Sequence, residues 1–177
     1  MLKKILFVLA SYPLLGVSLA VADNVEIYLQ AMLDNTQNGY CIDIARAQGA
    51  KANPADGLQA HTCYSPKGEL MVDQIFDTEK FVDGLLYMPE FDVCAEISSA
   101  EAGSTIGLTT CNGSDTQTFK FPGDGTIVPE AAPGMCLTVA EATRTGKSDV
   151  NQIKVLKLES CSVDKADLQL WSVRTGL

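Results

Sequence analysis

Two residue types in this sequence are scarce enough, or paired enough, to carry chemistry: a single histidine, His61, and six cysteines, Cys41, Cys63, Cys94, Cys111, Cys136 and Cys161. An imidazole titrates near neutrality and can serve as acid, base, metal ligand or flat polar ring. As the base of a hydrolytic triad, His61 would need a serine and a carboxylate brought beside it. No nucleophile elbow is present, because Gly103-Ser104-Thr105-Ile106-Gly107 has the wrong spacing for Gly-x-Ser-x-Gly. One histidine and bridged cysteines leave too few ligands for a transition metal. No glycine-rich loop of the phosphate-cradling kind occurs. Acid neighbours such as Glu90 with Asp92, or Glu96 with Glu101, have the spacing of a hydrolytic pair. With 22 acids on a small surface such neighbours are inevitable, and a solvated face is the better reading. The residues therefore predict a protein that is not an enzyme and uses no cofactor. Asn112-Gly113-Ser114 is a glycosylation sequon only in a eukaryotic secretory pathway, and otherwise a turn.

The cysteines gain meaning from the start of the chain. Met1 to Ala22 reads as a secretory leader: Lys3 and Lys4, an apolar run from Ile5 to Ala20, then the small-x-small triplet Ala20-Val21-Ala22. The run is shorter than the roughly 20 residues a membrane helix needs and contains Pro13 and Gly16. Cleavage near Ala22 would place the mature chain, residues 23–177, in a periplasmic or extracellular compartment, where an even cysteine count reads as disulfides. It would also remove two lysines from a chain of net charge −9, leaving −11. Such acidity argues against nucleic acid as a partner and favours a neutral ligand over an anionic one. The 46% apolar content excludes disorder, and the length fits one domain.

Six cysteines allow 15 pairings, but an internal repeat selects one. The first unit runs Tyr40-Cys41-Ile42-Asp43-Ile44, then Leu58-Gln59-Ala60-His61-Thr62-Cys63, then Gln74-Ile75-Phe76. The second has Cys94-Ala95-Glu96-Ile97, Leu108-Thr109-Thr110-Cys111 and Gln117-Thr118-Phe119; the third has Cys136-Leu137-Thr138-Val139, Lys157-Leu158-Glu159-Ser160-Cys161 and Gln169-Leu170-Trp171. The repeat predicts Cys41–Cys63, Cys94–Cys111 and Cys136–Cys161.

The elements that must position these residues are short. Apolar or alternating runs broken by Gly, Pro, Asn and Asp predict strands at Ile27–Leu33, Tyr40–Ile44, Leu58–Tyr64, Ile75–Thr78, Leu85–Met88 and Val93–Ile97. Further strands are predicted at Ile106–Thr110, Thr118–Phe121, Thr126–Val128, Cys136–Val139, Ile153–Leu158 and Leu170–Val173. Helix is confined to a turn near Ile97–Ala102 or Glu141–Thr145. About four strands per unit, in units near 24–78, 79–121 and 122–174, predict an all-β, threefold antiparallel barrel.

Three Gln-x-aromatic triplets, each following a cysteine pair, resemble the ricin B-chain-like β-trefoil lectins over residues 25–173. The chain departs from that family in Phe76 and Phe119, where tryptophan is usual, and in a long connection at residues 79–92. The resemblance implies a β-trefoil whose Gln-x-aromatic residues are mainly scaffold.

It also implies a saccharide site inside one repeat. An acid two residues after the first Cys accepts hydroxyls, a ring two residues before the second Cys stacks on the sugar, and nearby polar residues complete the contacts. In the first repeat these are Asp43, His61, Gln59 and the pair Asp73-Gln74, with Asp73 in place of the usual asparagine. The second repeat has Glu96, Thr109 and Gly107 at those places, and the third Thr138, Glu159 and Lys157, so only the first is complete. The expectation is a secreted lectin domain for a galactose-like or related neutral saccharide, with no membrane span. The rival reading is a trefoil interaction module, such as a toxin or inhibitor subunit with a residual sugar site. Either could work with a partner polypeptide or as an oligomer.

Overall fold

A computed structural model describes residues 23–46, 48–67 and 71–175, so the leader read at residues 1–22 lies outside the described part. The first repeat holds β1 (Asn24–Leu29), β2 (Tyr40–Ile44), β3 (Leu58–Thr62) and β4 (Ile75–Asp77). The second holds β5 (Tyr87–Met88), β6 (Val93–Ile97), β7 (Ile106–Thr109) and β8 (Phe119–Lys120). A two-residue β9 (Asp124–Gly125) precedes the third: β10 (Val128–Pro129), β11 (Met135–Thr145), β12 (Gln152–Ser160) and β13 (Trp171–Arg174). One helical turn, α1 (Ala166–Gln169), leads into β13.

The middle strands of each repeat form an antiparallel hairpin: β2–β3, β6–β7 and β11–β12. The outer strands make the barrel. Strand β1 pairs with β2, β4 and β13, which joins the first repeat to the third, and β8 pairs with β10, which joins the second to the third. This is the β-trefoil. Each hairpin carries one disulfide, and the pairing is the one the repeat selected: Cys41–Cys63, Cys94–Cys111 and Cys136–Cys161, with Cα–Cα separations of 4.9, 5.0 and 5.0 Å.

The repeated triplets close the units in one common way. Gln74 Nε2 donates to the Thr62 carbonyl (3.1 Å) and its Oε1 accepts from the Tyr64 N–H (3.3 Å). Gln117 does the same with Thr110 (3.0 Å) and Asn112 (2.7 Å), and Gln169 with Ser160 (3.0 Å) and Ser162 (3.0 Å). Each amide therefore clamps the residues on either side of the second cysteine of its repeat, where the chain leaves the hairpin and its backbone groups need partners. The aromatic two positions on turns inward: Phe76, Phe119 and Trp171 are at most 2% exposed and pack with Ile27, Leu29, Ile42, Leu137 and Leu156. Burying such a side chain contributes about 1.5–3 kcal/mol. The indole of Trp171 also donates to the Leu137 carbonyl, so burial leaves no polar atom stranded there.

Three local expectations are corrected. The first strand ends at Leu29 rather than Leu33, because Leu33 adopts φ +50 and the chain turns through Met32–Asn35 toward β2. Residues 141–145 are not helical but the end of β11, which pairs with Gln152–Lys154 beyond a bulge after Val139. Cross-strand pairing and the β-branched Thr143 and Thr145 outweigh the helix preference of the Ala and Glu around them. Nor is there helix at residues 97–102: Ile97 ends β6 and the chain turns at once. The long connection after β4 is a 3-10 turn, Thr78–Asp83, capped by Gly84 in the left-handed region. A Cβ on Gly84 would lie 2.6 Å from Thr118 Cγ2, so glycine is required both by its φ and by the close approach. Among the described residues, no helix is long and apolar enough to cross a membrane.

Candidate functional site

Strand β3 is shared between two repeats. On one side it pairs with β2, setting Asp43 opposite Gln59 and Cys41 opposite His61. On the other it pairs with β12 of the third repeat, setting Ile153 opposite His61 and Lys154 opposite Ala60. Because side chains alternate along a strand, Gln59 and His61 emerge on the same face. The long β11–β12 hairpin stands beside them as a second wall. Buried Lys154 holds it there, with Nζ 2.7 Å from Thr143 Oγ1, 3.3 Å from Asp34 Oδ1 and 5.2 Å from the centre of the Tyr40 ring.

Between these walls lies a cleft of about 420 Å³. The first repeat contributes Arg46, Gln48, Gln59, His61 and Tyr64; the third contributes Arg144, Lys147 and Asn151 from the hairpin tip. The imidazole and phenol rings lie 5.5 Å apart with an interplanar angle of 32°. Burial first, then the charges of Asp43 and Asp73, push the Tyr64 hydroxyl up to about 12, so it stays neutral and can donate or accept.

The five residues singled out in sequence fall into two groups. Gln59 and His61 line the cleft; Asp43, Asp73 and Gln74 lie beneath it, each at most 1% exposed. Asp43 Oδ2 accepts from Gln74 Nε2 (2.9 Å) and lies 3.3 Å from His61 Nδ1. The same Nδ1 is 3.1 Å from the Thr62 carbonyl oxygen, which can only accept, so Nδ1 carries the hydrogen. Asp43 thus orients the imidazole from below. Its other oxygen, Oδ1, is buried without a hydrogen-bond partner among the described residues. Burial, the nearby Asp73 carboxylate and, more weakly, Glu26 push the Asp43 carboxyl well above the usual carboxylate range, against the hydrogen bond from Gln74. Asp73 does not close the cleft. Its Oδ2 accepts from the Gly49 N–H at 2.7 Å and so pins the loop that carries Gln48.

The equivalent places in the other repeats are occupied differently. Glu96 accepts from Thr116 Oγ1 at 2.9 Å, and Gly107 and Thr109 bring no ring. In the third repeat Thr138 is buried, accepting from Gln169 and donating to the Cys136 carbonyl, while Lys157 and Glu159 pair at 2.6 Å across the position where a ring would stand.

Sequence reasoning missed Arg46, Gln48, Tyr64, Arg144, Lys147 and Asn151. Tyr64 could have been found as a second ring directly after Cys63. The hairpin residues could not, since contacts between the first and third repeats, the β3–β12 pairing among them, bring them across.

The whole chain was compared with known proteins. The model of the ricin-type beta-trefoil lectin domain matches residues 29–147 and 82–176. A comparison with curated proteins returned no match. Among solved structures, the β-trefoil lectin of the Vibrio vulnificus hemolysin/cytolysin, solved with N-acetyl-D-lactosamine bound, superposes with a TM-score of 0.60 at 13% identity, covering 89% of this chain and 98% of that one. The designed threefold-symmetric protein ThreeFoil gives 0.53 at 16% identity, covering 87% and 99%. The hemolytic lectin CEL-III gives 0.53 at 14%, covering 86% of this chain and 31% of that one. At these identities the structural matches speak to the fold, and the match of the family model across both halves of the chain decides the rest: this protein belongs to the ricin-type β-trefoil lectin family.

Proposed function

We propose that the protein is an exported lectin that holds one saccharide in the cleft between the first-repeat β2–β3 hairpin and the third-repeat hairpin tip, without transforming it. Family membership supports carbohydrate binding. The observation that carries the choice of site is the flanking pair of rings, His61 and Tyr64, beside the amide of Gln59. A pyranose presents an apolar C–H face and a polar rim, and a flat ring beside hydrogen-bonding groups serves both. The corresponding positions of the other two repeats carry Thr109 and the Glu159–Lys157 pair, so a single competent site is proposed. In this reading Asp43 acts through His61, holding the ring, rather than by meeting sugar hydroxyls itself.

One stack and two or three hydrogen bonds, less the cost of association, give roughly −4 to −5 kcal/mol, a millimolar to submillimolar Kd. The test is a glycan array followed by titration with soluble saccharides, read on the saccharide by ligand-observed magnetic resonance. His61→Ala should abolish the response, and replacing Thr109 in the second repeat should leave it intact. A blank array would sink the saccharide reading in favour of a protein-interaction role.

A further inference from the structure

The charge lining the cleft runs opposite to that of the chain. We propose that this cleft selects saccharides bearing an anionic substituent, a carboxylate or a sulfate ester, over neutral ones; the proposal rests on the lectin reading above and names the ligand class.

Three cations, Arg46, Arg144 and Lys147, line the cleft, and among the described lining residues there is no carboxylate. On a chain with 22 acids against 13 Lys and Arg, a sample of average surface would show the reverse. Two of the three are unspent: among the described residues neither Arg144 nor Lys147 has a carboxylate within 4 Å. Arg46 pairs with Asp56 at 3.6 Å, but its side chain is 78% exposed, so that contact competes weakly with a ligand.

Gln59 adds an independent observation. Only 5% exposed, it accepts from Arg144 Nη2 at 3.2 Å through Oε1. Its Nε2 is buried and has no acceptor among the described residues, a costly state that an incoming oxygen would relieve. The fully charged groups lining the cleft are thus all donors, which suits an oxyanion.

The acids nearby do not cancel this. Asp43 sits under His61, where burial favours its neutral form, and Asp73 lies behind the Gly49 loop with its Oδ2 on that N–H. Asp149 is on the hairpin tip but does not line the cleft. The tip itself is braced by the Gly146 N–H on the Asn151 carbonyl and the Asn151 N–H on that of Ser148, so Lys147 is held on an ordered turn. Net acidity elsewhere sets the long-range field, whereas a short contact is decided by its neighbours once salt screens beyond about 8 Å.

The test uses the full disulfide-bonded chain and three probes on one ring: galactose, galacturonic acid and galactose 6-sulfate, titrated at about 50 and 300 mM NaCl. The expected result is that at least one acidic probe binds about tenfold or more tightly than galactose, and that the advantage shrinks at the higher salt. Which acidic probe wins tells a carboxylate from a sulfate requirement. Arg144→Gln and Lys147→Gln, both at exposed positions, should each cut the ratio of acidic-probe to galactose affinity about threefold or more; Lys120→Gln, remote from the cleft, should change no affinity. Galactose binding as well as both acidic probes overturns the proposal and leaves the lectin reading standing. Failure of all three, on an array as well, overturns both. A preference that survives both glutamine substitutions also overturns the proposal, because it would place the selecting charge elsewhere.

Discussion

The three glutamine clamps offer a stability experiment in which the protein supplies its own controls. Replacing each in turn by leucine keeps the volume and removes the amide. Gln74 makes three hydrogen bonds, to the Thr62 carbonyl, the Tyr64 N–H and fully buried Asp43. Gln169 makes three, to the Ser160 carbonyl, the Ser162 N–H and buried Thr138. Gln117 makes two, and the residues it holds, Thr110 and Asn112, reach solvent. A hydrogen bond contributes about 1 kcal/mol net, and a buried group left without a partner costs a further 1–3 kcal/mol, whereas an exposed one turns to water. Gln74→Leu and Gln169→Leu should therefore cost about 4–6 kcal/mol each, and Gln117→Leu about 2. At roughly 2–4 °C per kcal/mol for a chain of this size, the first two should lose on the order of 10 °C in Tm and the third about half that. Urea unfolding with the disulfides intact, checked by near-ultraviolet circular dichroism, reads the order directly. If Gln117→Leu proved the most costly, or all three fell within 0.5 kcal/mol of the parent, the clamp would not be what closes the repeats.

Three further outcomes are expected. The Asp43 carboxyl titrates higher in the folded chain than in the unfolded one, so its stabilising contribution is complete below the unfolded pKa near 3.9 and is lost as pH rises through the folded value. Asp34 works the other way: held at about 2 by hydrogen bonds from Thr143, Tyr40 and Lys154 that outweigh its burial, it stabilises above 3.9 and stops doing so as pH falls toward 2. Unfolding midpoints between pH 4 and 8 should fall less steeply in Asp43→Asn than in the parent, and parallel slopes would count against this assignment. Replacing Cys41 and Cys63 together by alanine should cost about 3 kcal/mol from the loop between residues 22 apart, measured by denaturant unfolding. Lys154→Met should loosen the third-repeat hairpin from the first repeat, costing about 1–3 kcal/mol and weakening ligand binding together, because Asp34 and the Glu141 carbonyl lose their shared cation; unchanged binding would mean the cleft does not depend on that attachment.

What could be read from the chain alone was whatever recurs at short range. Cysteine spacing, the Gln-x-aromatic triplets and the broken apolar runs state the threefold plan three times over, so the barrel and its disulfides were legible before any coordinates. Asp43, Gln59 and His61 were legible for the same reason, since strand pairing within one repeat follows from their distance to Cys41 and Cys63. Burial and contact between repeats were not. The β3–β12 pairing joins residues about ninety positions apart with no local code, and with the Lys154–Asp34 contact it carries Arg144 and Lys147 to the cleft. Nor does spacing say that Asp43 would be fully buried, because the depth of a side chain depends on everything packed around it. The net charge of a sequence is a sum, indifferent to position, and so it pointed to a neutral ligand. The side chains that folding gathers around the cleft are a different sample, and the fully charged ones among them are cations.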